Sequence, residues 1–358
     1  MEKQDWQISD FPFEGKLESL KILKSLPAAH AALAELKGLI STIPNELILL
    51  HTLGLQEAKD SSAIENIVTT HDDLYRSSLN LKSIHSLEAK EVQNYASALK
   101  RGFELFSDHK ILSVPLILEV QEILEGNSAG FRKLPGTSLK DASTGKTIYT
   151  PPQEYETIMN LMADLATFIN DDSISDLDPL VKVALVHHQF ESIHPFYDGN
   201  GRTGRILNIL YLIQQNLLEI PVLYLSYFIV QNKHDYYRLL QEVRREGIWE
   251  DWILFIVEGI RVTSLDTIET IRSIKDLMAT MKFRLRENYK FYSQDLLNNL
   301  FRNPYTKIDL VARDVGVSRL TAAQYLNTLS KDGVLSKRKV GKSNYYINTP
   351  LYNLLMTK

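Results

Sequence analysis

Apolar residues recur three and four apart through most of the chain, as at Leu33, Leu36, Leu39 and Ile40 and again at Leu47, Leu50, His51 and Leu55. That spacing lays an apolar stripe along a 3.6-residue helix and predicts a mainly α protein. Period-two alternation is rare. It is clearest at Thr147 to Thr150, which runs into Pro151 and Pro152, and in the stretch Val334 to Asn348, so short β segments are expected there.

Two helices are sharply bounded. Asp178 and Pro179 supply an acidic N-cap and a proline at the first helical position, so a helix should run through Leu180, Val183, Ala184, Val186, His187 and Phe190 and stop before His194-Pro195. After a loop from Pro195 to Gly201, a second helix carries Ile206, Leu207, Ile209, Leu210, Leu212 and Ile213. It is apolar nearly all round, which predicts a central place in the core. From about Ser293 the pattern changes: Leu296, Leu297 and Leu300, then Ile308 to Ala312, then Val315-Gly316-Val317-Ser318 and a helix through Ala322, Tyr325, Leu326 and Leu329. Followed by the basic turn Lys337-Arg338-Lys339-Val340-Gly341-Lys342, this resembles a winged helix-turn-helix, with Val317-Ser318 opening the recognition helix. Arg319, Gln324 and the wing lysines are the candidates for DNA contact. Winged helices also serve as protein-contact or dimerisation modules, so DNA and a second copy of the chain are both open as partners.

At 358 residues, a large core and at least one smaller module are expected. The lack of cysteine excludes disulfides, thiolate nucleophiles and cysteine-based zinc sites, and fits a reducing cytoplasm. Met1 to Asp10 holds no apolar run of the signal-peptide kind, and the greasiest stretch, Ile206 to Ile213, is too short to span a bilayer. A cytoplasmic protein without a membrane partner is therefore expected. A net charge of −4 argues against coating nucleic acid by bulk attraction.

The chemistry concentrates in His194-Pro195-Phe196-Tyr197-Asp198-Gly199-Asn200-Gly201-Arg202-Thr203-Gly204-Arg205. Glycines at 199 and 201 let backbone N–H groups turn inward at a helix start, where the dipole adds positive potential: an anion cradle. Arg202 and Arg205 lie three apart on one helix face and offer forked donors to phosphate. Cations at that end of a helix are unfavourable by themselves, so their placement points to an anionic ligand. Asp198 supplies one hard oxygen suited to magnesium held mainly through substrate phosphates and water. His194 could accept a proton from a hydroxyl.

This segment matches every position of the motif of the Fic (Fido) family, His-x-Phe-x-Asp/Glu-Gly-Asn-Gly-Arg-x-x-Arg. The resemblance implies a helical core with a short β-hairpin flap, and a protein adenylyltransferase. His194 would deprotonate a target Tyr, Thr or Ser whose hydroxyl attacks the α-phosphorus of ATP. Asp198 would hold Mg²⁺, and Gly199, Asn200, Gly201, Arg202, Thr203, Gly204 and Arg205 would bind the phosphates. Phe196 would anchor the loop, and Tyr236 or Tyr237 would contact adenine. Gly145-Lys146-Thr147 resembles the end of a P-loop, but Lys140 stands where that motif needs glycine. Thr147, Ile148, Tyr149 and Thr150 are read instead as the flap, on which a target segment aligns by strand addition, or as an ordinary surface hairpin.

Upstream, Ser61-Ser62-Ala63-Ile64-Glu65-Asn66 resembles the family's inhibitory motif, Ser/Thr-x-x-x-Glu-Gly/Asn. Glu65 would then pair with Arg205 and leave ATP in an unproductive pose, with Ser61 and Asn66 completing the motif. In related proteins the same glutamate can orient water for AMP removal. The competing reading is a capping box formed by Ser62 and Glu65 at a helix start. The expected organisation is a helical region with the inhibitory motif over 1–110, the catalytic core over 111–265, a helical linker over 266–288 and the winged helix over 289–358. The rival function is a DNA-binding regulator that uses the core as a nucleotide sensor. A sensor needs the cradle but no base beside it, and His194 is intact.

Overall fold

The protein is described here by a computed structural model covering residues 17–43, 45–79, 86–140, 144–340 and 343–356. The N-terminal stretch Met1 to Asp10 and the wing residues Gly341 and Lys342 lie outside the described residues. In chain order the helices are α1 (Leu20–Ile40), α2 (Glu46–Ile64), α3 (His71–Leu79), α4 (Leu87–His109), α5 (Val114–Glu125), α6 (Tyr155–Asn170), α7 (Pro179–Ile193), α8 (Asn200–Gln214), α9 (Leu225–Gln231), α10 (Lys233–Glu246), α11 (Glu250–Asn288), α12 (Gln294–Arg302), α13 (Ile308–Val315), α14 (Arg319–Lys331) and α15 (Thr349–Met356). Strands β1 (Leu139–Lys140) and β2 (Thr147–Tyr149) form one antiparallel pair, and β3 (Tyr305–Thr306), β4 (Ser336–Val340) and β5 (Ser343–Ile347) an antiparallel sheet in the order β3-β5-β4. Among the described residues, no helix is long and apolar enough to cross a membrane.

Helices α7 and α8 occupy the centre. Every residue of α7 from Leu180 to Ile193 is buried, and so is α8 from Arg202 to Leu212, which is what an all-round apolar helix requires. Asp178 caps α7 by accepting from the Leu180 amide at 2.8 Å. Around this pair pack α4, α5, α6 and α11. The 39-residue α11 is roughly 58 Å long at 1.5 Å per residue; α1 lies along it, joined by Arg272 to Glu35 and Lys275 to Thr42.

Helix α2 differs from its sequence pattern. Leu47 is 50% exposed and His51 is exposed, whereas Ile48, Leu49, Thr52 and Leu53 are fully buried. The helix packs against α4, α9 and α12 together, so most of its circumference is covered and the Leu47/Leu50/His51 stripe does not mark the buried side. The expected border between residues 265 and 266 falls inside α11, which runs on without a break.

Candidate active site

The α7–α8 joint is where the described residues converge. Helix α7 ends at His194, whose backbone is left-handed (φ 48°, ψ 59°). A side chain other than glycine or asparagine costs about 1–2 kcal/mol there, so the surroundings must hold the conformation. The loop then folds on itself: Asn200 Oδ1 accepts from the Phe196 amide at 2.8 Å, and its Nδ2 donates to the Phe196 carbonyl at 2.9 Å. The side chain of Asn200 thus closes the turn instead of facing outward. Phe196 is fully buried, its ring 5.4 Å from Phe131 and 6.4 Å from Phe190. Gly199, at φ 77°, starts the turn into α8, and Gly204 sits where a Cβ would meet Phe190 at 3.0 Å, a position that serves the α7–α8 contact.

His194 is mostly enclosed. Burial, and then the guanidinium groups of Arg244 and Arg132, push its pKa down to about 4. Its Nδ1 is buried, and the ring interacts with the Glu191 backbone. A neutral imidazole is the form that can take up a proton.

Arg202 and Arg205 are each only 2% exposed. Arg205 Nε donates to Ser61 Oγ at 2.7 Å, and its Nη2 donates to the Ser61 carbonyl and to Glu65 Oε1, both at 2.9 Å. Glu65 also reaches Arg202: Oε2 lies 2.9 Å from Nε, a charge contact whose alignment falls short of a hydrogen bond. Arg202 Nη1 and Nη2 donate to Glu91 and Glu125, again at 2.9 Å. One carboxylate therefore bridges both arginines, and two more complete a ring around Arg202. Burial pushes the pKa of Glu125 up to about 7, against the pull of Arg202. Gly201 permits this closeness, since a Cβ there would lie 2.6 Å from Glu65 Oε1.

Ser61 and Glu65 project from the end of α2, where Glu65 is the C-cap residue. The capping-box alternative fails, because Ser62 sits in the last turn and donates to the Ala58 carbonyl. Asn66 is left-handed (φ 64°), a conformation asparagine tolerates, and its Oδ1 accepts from Lys233 at 3.0 Å.

The remaining sequence candidates are spread around the joint. Asp198 is exposed, with Oδ1 accepting from the Gly199 amide at 2.8 Å. Thr203 Oγ1 is buried without a partner. Tyr236 is in the core, its hydroxyl 2.8 Å from His187 Nε2, so its ring is not open to a base, whereas Tyr237 beside it is 44% exposed. In the β1–β2 hairpin Thr147 and Ile148 are exposed, but Tyr149 turns inward and donates to the Ser192 carbonyl at 2.7 Å; Thr150 follows the strand and is exposed. Sequence reasoning missed Glu91, Glu125, Arg132 and Arg244, none of which belongs to a local motif.

Three family matches tile the chain. Residues 23–104 match the Fic/DOC family N-terminal region, residues 111–212 the Fic/DOC family, and residues 277–351 the C-terminal domain of SoFic-like protein adenylyltransferases. The chain belongs to the Fic family. The Fic match includes the whole joint built by α7, the loop and α8. Among curated relatives, the chain is 29% identical over 136 residues to "Protein adenylyltransferase fic-1" of Caenorhabditis briggsae, covering 38% of this chain and 25% of that protein. It is 27% identical over 203 residues to "Probable protein adenylyltransferase aq_aa38" of Aquifex aeolicus, covering 56% of this chain and 58% of that one. The chain thus spans less than two thirds of the length of either relative. A Fic family protein from Desulfovibrio desulfuricans G20 superimposes with a TM-score of 0.55 at 22% identity, over 90% of this chain and 96% of that one. Fic-1 from C. elegans (residues 134–508) gives 0.54 at 22% identity, over 70% and 73%. These two likenesses establish the Fic fold.

Proposed function

We propose that this Fic protein transfers AMP from ATP to a Tyr, Thr or Ser hydroxyl of a target protein, with Glu65 as a built-in brake. The observation that carries the reading is the pairing of two buried arginines at a helix start with a neutral histidine at the end of the preceding helix. The helix dipole opposes arginines placed there, and in this structure the carboxylates of Glu65, Glu91 and Glu125 offset their charge; a triphosphate is an anion that can take the place of those carboxylates. His194 takes the proton of the target hydroxyl, the oxygen forms a bond to the α-phosphorus, and the bond to the β-phosphate bridge breaks, releasing pyrophosphate. Such transfer depends on positioning and charge stabilisation more than on covalent help from the protein.

Magnesium suits the donor set: Asp198 offers a single exposed carboxylate at the mouth of the cradle, and Mg²⁺ commonly takes one or two carboxylates with phosphate and water filling its remaining positions. Bound there, it would neutralise phosphate charge. Tyr237 is the better placed of the two tyrosines to meet the base, because its ring is partly open.

Glu65 holds both arginines, the groups phosphate would need, which supports its role as a restraint. The same carboxylate, once released, could orient water for removal of AMP. The rival reading, a DNA-binding regulator that uses the core as a nucleotide sensor, has weaker support. Arg338 is paired with Asp72, Arg319 with Asp309, and Lys337 donates to Asn327, so three of these basic side chains already have protein partners.

The test is incubation of wild type, Glu65→Gly and His194→Ala with α-labelled ATP, Mg²⁺ and cell lysate. Glu65→Gly should label protein more strongly than wild type, and His194→Ala in the same background should label none. Equal labelling with and without His194 would remove the histidine from the chemistry; equal labelling with and without Glu65 would remove the brake.

A further inference from the structure

Helix α7 ends inside the protein, where its last carbonyls have no water to bond and no intrahelical partner. Each nevertheless has a donor. Arg244 Nη2 donates to the Glu191 carbonyl at 3.0 Å, Tyr149 Oη to Ser192 at 2.7 Å, Arg132 Nη2 to Ile193 at 3.4 Å, and Arg132 Nε to His194 at 2.8 Å. The backbone amide of Arg132 continues the series by donating to the Pro195 carbonyl at 2.9 Å. The donors brace one another: Arg244 lies over the Tyr149 ring, 4.0 Å from its centroid, and also donates to Ser192 Oγ at 3.1 Å. Arg132 holds the Pro152 carbonyl, just past the hairpin.

The two arginines are unusual in their settings. Arg132 is fully buried and Arg244 is 4% exposed, and neither forms an ion pair among the described residues. Arg132 has no carboxylate against it, and the one that acts on Arg244, Glu191, is itself held towards its neutral form by burial; a buried guanidinium so placed is expensive and cannot relieve the cost by losing its proton. The negative end of α7 and its carbonyls supply the compensation. What this arrangement secures is the next residue: His194, left-handed and followed by proline, a backbone state that neither its own side chain nor Pro195 favours.

We propose that Arg132, Arg244 and Tyr149 are positioning residues that lock the end of α7 to the β1–β2 hairpin, so that His194 and a hydroxyl presented along the hairpin are held in one rigid frame. The proposal rests on the adenylyl-transfer reading for its consequence, and on the geometry alone for its mechanics. Tyr149 is the informative position, because it belongs to the hairpin by its backbone and to the histidine's helix by its hydroxyl. Displacement of a base by about an ångström costs on the order of a hundredfold in rate. Loosening the frame should therefore lower turnover without altering how the phosphates bind.

The experiment uses the full chain carrying Glu65→Gly, with Tyr149→Phe, Arg244→Met or Arg132→Lys added singly. Tyr149→Phe removes one hydroxyl and is the variant expected to fold without difficulty; Arg132→Lys keeps the charge but not the fork. Two readouts are taken. In label transfer, kcat should fall about 10–100-fold while the KM for ATP stays within about twofold. In NMR of histidine-labelled protein, the His194 ring and backbone resonances should shift or broaden, while those of His187, about two turns up the same helix, stay in place. His194 resonances that superimpose on those of the parent in folded Tyr149→Phe would overturn the proposal, as would an unchanged kcat. If the Glu65→Gly parent transfers no label at all, the adenylyl-transfer reading fails, and the NMR comparison still decides whether the clamp exists.

Discussion

His194 combines a strained backbone with a buried ring, and the second property has a direct consequence for pH. A free histidine gains its proton near pH 6.5, but burial and the two guanidinium groups hold this one to about 4. Its ring thus stays neutral, and competent as a base, throughout the range from pH 8 to pH 5. We expect the His194 ring resonances of the Glu65→Gly protein to show no protonation step between pH 8 and pH 5; an NMR titration with a His194 midpoint near 6.5 would contradict the placement of the ring, whereas a rate midpoint near 7 could arise from Glu125 or Glu191. For stability the sign is that of a depressed folded pKa: the contribution is complete above pH 6.5 and drains as pH falls towards 4. Glu191, fully buried and pushed up to about 7 by that burial, opposes the trend, because the folded protein favours its protonated form.

At the scale of elements, the turn between α7 and α8 and the ring around Arg202 respond separately to substitution. Gly199 is left-handed, and a Cβ there would lie 2.3 Å from Glu125 Oε1. Gly199→Ala should lose about 1–2 kcal/mol from backbone handedness alone, read as a lower denaturant midpoint, with further loss if Glu125 cannot swing aside. Glu91 is different: it touches Arg202 at the partly exposed rim, with 39% of its side chain accessible. Such a pair contributes about 0.2–1 kcal/mol, so Glu91→Gln should tighten ATP binding by about 1.4- to fivefold in the Glu65→Gly background. Calorimetric titration checks it, and unchanged affinity would mean that Glu91 does not compete with phosphate.

Across the whole molecule, the C-terminal helices and sheet grip the segment that carries Glu65. Asp72, on α3 just beyond the α2 terminus, accepts from Tyr305, from Tyr352 at 3.1 Å and from Arg338 at 2.6 Å. On α2 itself, Gln56 donates to the Leu355 carbonyl at 2.8 Å and to Tyr75 at 2.7 Å. The rings of Tyr75, Tyr305 and Tyr352 cluster between them. Asp72→Ala would strand two partly buried hydroxyls and should destabilise the protein by about 1–3 kcal/mol, measured by urea unfolding; Arg338→Ala, which removes only the exposed pair, should cost less than about 1 kcal/mol. Equal losses for the two variants would show that the tyrosines contribute nothing through Asp72.

Local order is what the sequence determined by itself. Asp178-Pro179 marks the start of α7, the apolar circumference of α8 puts it at the centre, and the glycines mark the turn that leads into α8 with its two arginines, because in each case the signal and the structure lie within a few consecutive residues. Ser61 and Glu65, four apart, were legible as one helix face for the same reason. Tertiary structure alone decided the rest. Glu91 and Glu125 reach Arg202 from α4 and the end of α5, Arg132 and Arg244 reach the end of α7 from a loop and from α10, and Tyr236 is buried while Tyr237 is not. The spacing around Leu47 predicted the helix α2 but not which side it covers, and the continuity of α11 past residue 265 was not visible, since a helix packed on several neighbours carries no single stripe and a helix joining two modules carries no break. Long-range contacts leave no periodic trace in a chain; they exist only once separate elements are brought together.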